Sequence, residues 1–104
     1  MLMIGYTTVL TREEAAALAH GLIEKKLAAC VQIEGPITSV YPWAGKVEQA
    51  EEFRLCVKFM STAAADVEAY VLTHHSYEIP EWITVRTENV SEKYLSWVKA
   101  SSSN

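Results

Sequence analysis

Glycine, proline and cysteine are scarce in this 104-residue chain, at 4, 3 and 2 residues, and each scarcity closes off a class of protein. Two cysteines, Cys30 and Cys56, with no CxxC spacing, make neither a disulfide framework nor a paired-thiol metal motif. Four dispersed glycines leave no glycine-rich turn of the kind that cradles a dinucleotide. Acidic residues outnumber basic ones, 13 to 9, for a formal net charge of −4. No Lys/Arg cluster is present to neutralise phosphates, which weighs against nucleic acid as a partner. A lone aspartate, Asp66, and the absence of a nucleophile elbow give no Ser/His/Asp constellation, so no enzyme is expected. No apolar run approaches the ~20 residues of a membrane-crossing helix. Met1–Tyr6 carries neither a basic leader nor a small-residue cleavage site. The expected location is the cytoplasm, without membrane association.

What the chain does have is a pair of long strand-like arms. Thr38–Trp43 and Val47–Phe59 flank the short linker Ala44-Gly45-Lys46, where the glycine favours an antiparallel hairpin. Phe53, Leu55, Val57 and Phe59 recur with period two, interleaved with Arg54, Cys56 and Lys58. With the first arm beginning near Cys30, the hairpin outreaches the core of a single domain spanning 1–104 and carries Tyr41, Pro42 and Trp43 with it. Large aromatics carried beyond a core need cover, and a second copy of the chain would supply it.

Residues 2–9 read as a buried strand. Thr11 stands three residues before Glu14, a capping-box spacing, and starts a helix to about Leu27 with Ala15, Leu18, Ala19, Leu22 and Ile23 on one face. Gly35-Pro36 marks a bulge or bend in the second strand. Ser61 or Thr62 caps a helix over 63–73, Glu81–Glu88 forms a fourth strand, and Ser91 opens a terminal helix that frays from Ala100 to Asn104. The order β-α-β-β-α-β is an α+β, ferredoxin-like split βαβ arrangement, extended by a long β-hairpin and a C-terminal helix. Its two helices cover one sheet face, leaving the other face and the strand edges to close against copies.

Candidate chemistry is sparse. Cys30 fits a soft metal ligand and equally a small buried hydrophobe. His74 and His75 adjoin Tyr77 and Glu78 in a connector that Pro80 keeps from being helical, a setting for metal contact or proton transfer and equally for capping. Glu48, Glu51 and Glu52 form an acidic stretch in which Glu48 and Glu52 share a strand face; a hard cation and plain ion pairing are both open to it. Lys46, after Gly45, binds an anion or covers the turn.

Several segments, in this order and spacing, are together similar to the CutA divalent-cation-tolerance family over nearly the whole chain. They are Leu27–Ile33, Ser39–Glu48, His75–Glu81, Asn89 and Tyr94–Trp97. The resemblance implies a ferredoxin-like subunit in a tight homotrimer, with an architecture similar to the PII signalling proteins and no established reaction. It implies cation tolerance, with copper or zinc as the ions that thiol and imidazole ligands favour. Carried over residue by residue, Cys30 and His75, with Glu48, are the metal candidates. Tyr41, Trp43, Lys46, Tyr77 and Trp97 are candidates for an intersubunit cleft. The alternative is a PII-like signalling or scaffold module that binds a protein or small molecule without a metal site. Gln32 stands where the family usually has asparagine and Ser76 where it usually has proline, implying a less rigid connector; Cys56 matches no family signature.

Overall fold

The computed structural model describes residues 1–102. Its elements are β1 (Leu2–Val9), α1 (Arg12–Glu24), β2 (Cys30–Trp43), β3 (Lys46–Met60), a 3₁₀ turn (Ser61–Ala63), α2 (Ala64–His74), β4 (Ile83–Arg86) and α3 (Glu92–Ser102). The sheet is antiparallel in the order β2-β3-β1-β4, the split βαβ arrangement expected from the element order.

Strand alternation divides the residues between two faces. The odd-numbered set of β3, Leu55, Val57 and Phe59, joins Val9, with Leu18 and Leu22 of α1 and Val67 and Val71 of α2, in one buried cluster. Each such side chain removed from water contributes about 1.5–3 kcal/mol before entropic costs. Trp82 is drawn under the same face. A side-chain carbon at Gly5 would meet its ring at 2.3 Å, and the ring stacks on Phe59 with centroids 6.2 Å apart. Burying Trp82 in this way takes it out of the ladder. β4 is therefore four residues long, Ile83–Arg86, and not the eight of Glu81–Glu88.

The even-numbered set faces away from α1 and α2. Ile4, Tyr6, Cys30, Gln32, Arg54, Cys56 and Lys58 lie there in register, with Ile83 and Val85 opposite Tyr6 and Ile4. Lys58 Nζ lies 5.8 Å from the centroid of the Tyr94 ring, which places α3 against this second face. Ile83 and Val85 remain 54% and 43% exposed.

Helix ends differ from expectation for local reasons. Thr11 caps α1 as its spacing predicts, Oγ1 accepting from Glu14 N–H at 3.1 Å. The helix stops at Glu24, short of Leu27, because Lys26 takes a positive φ of 59°. Leu27 N–H bonds Leu22 C=O and Lys26 N–H bonds Ile23 C=O, which together form a Schellman closure. Ile23 falls outside the buried stripe and is exposed. Neither Ser61 nor Thr62 provides a side-chain cap for α2; the 3₁₀ turn leads into it instead. Ala100–Ser102 stay helical where fraying was expected, and the buried Ser102 Oγ donates to Val98 C=O at 2.7 Å. The remainder of the predicted frayed end, residues 103–104, lies outside the described residues.

The hairpin sets the shape. Ala44 and Gly45 both take positive φ, 52° and 77°, as a two-residue type I′ turn requires. Lys46 pairs with Trp43 and belongs to β3, not to the linker. Extents of 46 × 26 × 22 Å and a radius of gyration of 14.4 Å exceed the about 13 Å of a compact chain this long. Trp43 and Val47 near the tip are 60% and 80% exposed.

Candidate functional site

A bulge in β2 decides which hairpin side chains meet. Glu34 lies opposite Arg54 and Ile37 opposite Glu52, so β2 takes three steps where β3 takes two. The extra residue reverses the alternation of β2 relative to β3. Beyond it, Ser39 and Tyr41 share a face with their partners Ala50 and Glu48, and with Glu52. This face forms one wall of an open groove of about 800 Å³. Thr8 and Leu10 close its base, and Tyr77, Glu78, Ile79 and Glu81 of the connector form the opposite wall. Glu48 and Glu52 line it and Glu51 does not, as strand alternation predicts.

The connector is fastened at three successive residues. His75 Nδ1 accepts Tyr77 N–H at 3.1 Å, and Nε2 lies 2.9 Å from Thr8 C=O and 3.1 Å from Thr7 Oγ1. A carbonyl only accepts, so Nε2 carries the proton and the Nδ1 lone pair is spent on Tyr77. Ser76 Oγ donates to the Glu14 carboxylate, which also meets Thr11 Oγ1. A hydrogen bond to α1 thus fastens Ser76, where the sequence led one to expect a less rigid connector. Tyr77 OH donates to Glu52 Oε2 at 2.6 Å, and Glu52 is only 8% exposed.

Burial first, and then the hydrogen bond to Glu52, push the Tyr77 phenol well above its ordinary value of 10.0. The neutral phenol is the form that the fold holds. Its contribution to stability is complete below pH 10 and is lost as pH rises beyond that value. In an alkaline titration followed by tyrosinate absorbance, Tyr77 is expected to ionise well above the ordinary phenol range, and Tyr77→Phe to abolish that late phase. A late phase that persists in Tyr77→Phe, or none in the unaltered protein, would contradict the Tyr77–Glu52 bond.

The structure brings Tyr41, Trp43, Glu48 and Tyr77 to one groove. It does not bring Cys30, His75 and Glu48 together within a chain. Cys30 pairs with Lys58, in the row of Ile4, whereas His75 is anchored at Thr8. Four residues of strand separate these rows, about 13 Å. Among the described residues, no three His, Cys, Asp or Glu side chains are placed to hold a metal ion. His74 closes α2, its Nδ1 2.9 Å from Tyr70 C=O and its ring stacked on Tyr70. Lys46 sits at the hairpin turn, and Trp97 projects from α3 beside Tyr94, neither of them in the groove lining. Leu10, Ile79 and Glu81 were not singled out from the sequence. Their place in the groove depends on the path of the connector, which no local pattern encodes.

The family described as CutA1 divalent ion tolerance protein matches residues 3–101. The divalent-cation tolerance protein CutA of Archaeoglobus fulgidus is 42% identical over 93 residues, covering 89% of this chain and 90% of the relative. The chloroplastic protein CutA of Arabidopsis thaliana is 38% identical over 98% of this chain, which spans 56% of that longer protein. Shorter spans recur with several relatives: the chain covers 64% of the Xenopus laevis CutA homologue and 52% of human CutA. Among solved structures, the periplasmic divalent cation tolerance protein CutA of Archaeoglobus fulgidus superposes with a TM-score of 0.93 at 40% identity, covering 97% of this chain and 98% of that one. CutA1 of Oryza sativa superposes at 0.94 and 37%, covering 97% and 93%.

Proposed function

The chain belongs to the CutA1 divalent ion tolerance family, and from that premise we propose that it acts as a homotrimeric, cation-responsive binding protein whose copies complete one another's long hairpin. The supporting observation is the hairpin itself, with Trp43 and Val47 exposed beyond the reach of their own core. Two further features agree with it. β2 and β4 are the edges of the sheet, so each copy offers two unpaired strands, and head-to-tail contacts between different surfaces can close into a ring. The face bearing Tyr6, Cys56, Ile83 and Val85 has apolar surface left over.

Copper or zinc is the proposed cation, with Cys30 as the soft donor. The single-chain geometry does not fit a Cys30–His75–Glu48 site, because the three are far apart and the His75 lone pair is already used. Any further ligands come from another copy. Calorimetric titration of the reduced protein with Cu or Zn is expected to show at least tenfold weaker binding for Cys30→Ala. Equal affinity in the variant would remove Cys30 from the proposal.

A second reading is favoured by that same failure of the ligands to converge. In it the chain is a signalling or scaffold module, with the hairpin–connector groove as its recognition surface and no intrinsic metal site.

A further inference from the structure

The strand register sets the two cysteines side by side. Cys30 pairs with Lys58 and Gln32 with Cys56, so Cys30 and Cys56 are diagonal neighbours on the sheet face turned away from α1 and α2. Both thiols are free and half-buried. Diagonal neighbours in an antiparallel pair lie about 7–8 Å apart between Cα atoms. A disulfide requires about 4.4–6.8 Å, so this spacing does not close one without moving a strand. An ion held between the sulfurs lengthens the bridge. Two metal–sulfur bonds of about 2.3 Å span roughly 4.6 Å, where the sulfurs of a disulfide span about 2 Å. The added length makes up the difference.

The surroundings choose the ion. Along β3, Arg54 and Lys58 stand two residues to either side of Cys56 on the same face, and Tyr6 lies opposite it on β1. Among the described residues, no third thiol, imidazole or carboxylate joins the pair to make a chelating set. Glu34, the carboxylate on this face of β2, is engaged by Arg54 at 2.9 Å. Zinc takes four ligands and hard ions take oxygen. Cu(I) is soft, with a filled d shell, and two thiolates in a line satisfy it. Ligand sets of three or four need another copy of the chain; this one does not. Two thiolates and one Cu(I) carry a net charge of −1, which Arg54 and Lys58 flank.

We infer that Cys30 and Cys56 of one chain hold a two-coordinate Cu(I) ion between β2 and β3. Each thiol releases its proton to solvent as its Cu–S bond forms, and no electron is transferred. The site rests on the reading of Cys30 as the soft donor, and adds the second ligand and the oxidation state of the ion. Ile83 and Val85, the apolar surface offered to a neighbouring copy, lie on β4, two strands across the sheet from Cys56. A copy closing over the cysteines as well would keep water from an ion that has no water ligand.

The test is anaerobic titration of the whole, reduced protein with Cu(I) against the colorimetric chelator bathocuproine disulfonate. Copper is supplied during refolding from urea as well as to the folded protein, so that a closed assembly does not bar its entry. One Cu(I) per chain is expected, with two sulfur ligands by X-ray absorption at the copper edge. Cys56→Ala is expected to weaken binding by more than the about 100-fold that loss of a supporting group costs, with folding verified by circular dichroism. Cys56→Met, which keeps a soft sulfur, is expected to recover part of the affinity. Unchanged affinity in Cys56→Ala would overturn the pair. If Cys30→Ala still weakens binding in that case, Cys30 remains the donor and its further ligands lie on another copy. Unchanged affinity in both variants removes both readings. One ion for three chains, or three sulfurs about the copper, would also overturn the pair within one chain.

Discussion

Replacing His75 with alanine is expected to lower the unfolding free energy by about 2–4 kcal/mol. The imidazole ties the connector to β1 through Thr7 Oγ1 and Thr8 C=O and braces its own segment through Tyr77 N–H, at 2.9–3.1 Å. Thr7 is fully buried and Thr8 nearly so, so removal of the ring leaves polar groups on β1 without their partner. The cost is that of stranded groups, which exceeds the net worth of an ordinary hydrogen bond. Loosening the connector also frees Tyr77, and with it the wall of the groove. Urea denaturation at fixed chain concentration measures the loss as a shift in midpoint. A change below about 0.5 kcal/mol, accompanied by a large drop in copper or zinc affinity, would contradict this account and restore His75 as a ligand.

Ile83→Lys is expected to separate the copies while leaving each chain folded. Ile83 is 54% exposed within its own chain, where such a substitution changes stability by only about ±0.5 kcal/mol. On a face closed against another copy, the ammonium is buried without a partner. That situation costs about 3–5 kcal/mol, which corresponds to roughly a thousandfold weaker association. Every copy in the assembly carries the substitution, so the effect is repeated at each interface. Light scattering across a dilution series, with circular dichroism to verify folding, measures it. An unchanged mass at every dilution would show that this face stays in water.

The sequence revealed most where a short pattern has one physical meaning. Period-two alternation from Phe53 to Phe59 announced β3 and its buried face, and Thr11 with Glu14 announced the start of α1. The terminus of α1 was harder to read, because its closure places a lysine, Lys26, in a conformation usually left to glycine. β4 was overestimated because Trp82 looks like a strand residue but is needed beneath Gly5. Gly35-Pro36 signalled a bulge, although not that it would reverse the alternation of β2 and turn Ser39 and Tyr41 toward Glu52. His75 and Tyr77 stood out as chemistry. Their actual partners, Thr8 and Glu52, lie 67 and 25 residues away in sequence, and only the assembled sheet brings them close. The separation of Cys30 from His75 is likewise a matter of strand register.

The proposed assembly rests on the hairpin being finished by neighbouring copies. The direct test is the mass of the unaltered protein in solution, followed by light scattering across a wide dilution series. The account predicts one species at three times the 11.6 kDa of the chain, without loss of mass on dilution. A folded, soluble species at the mass of a single chain would contradict it.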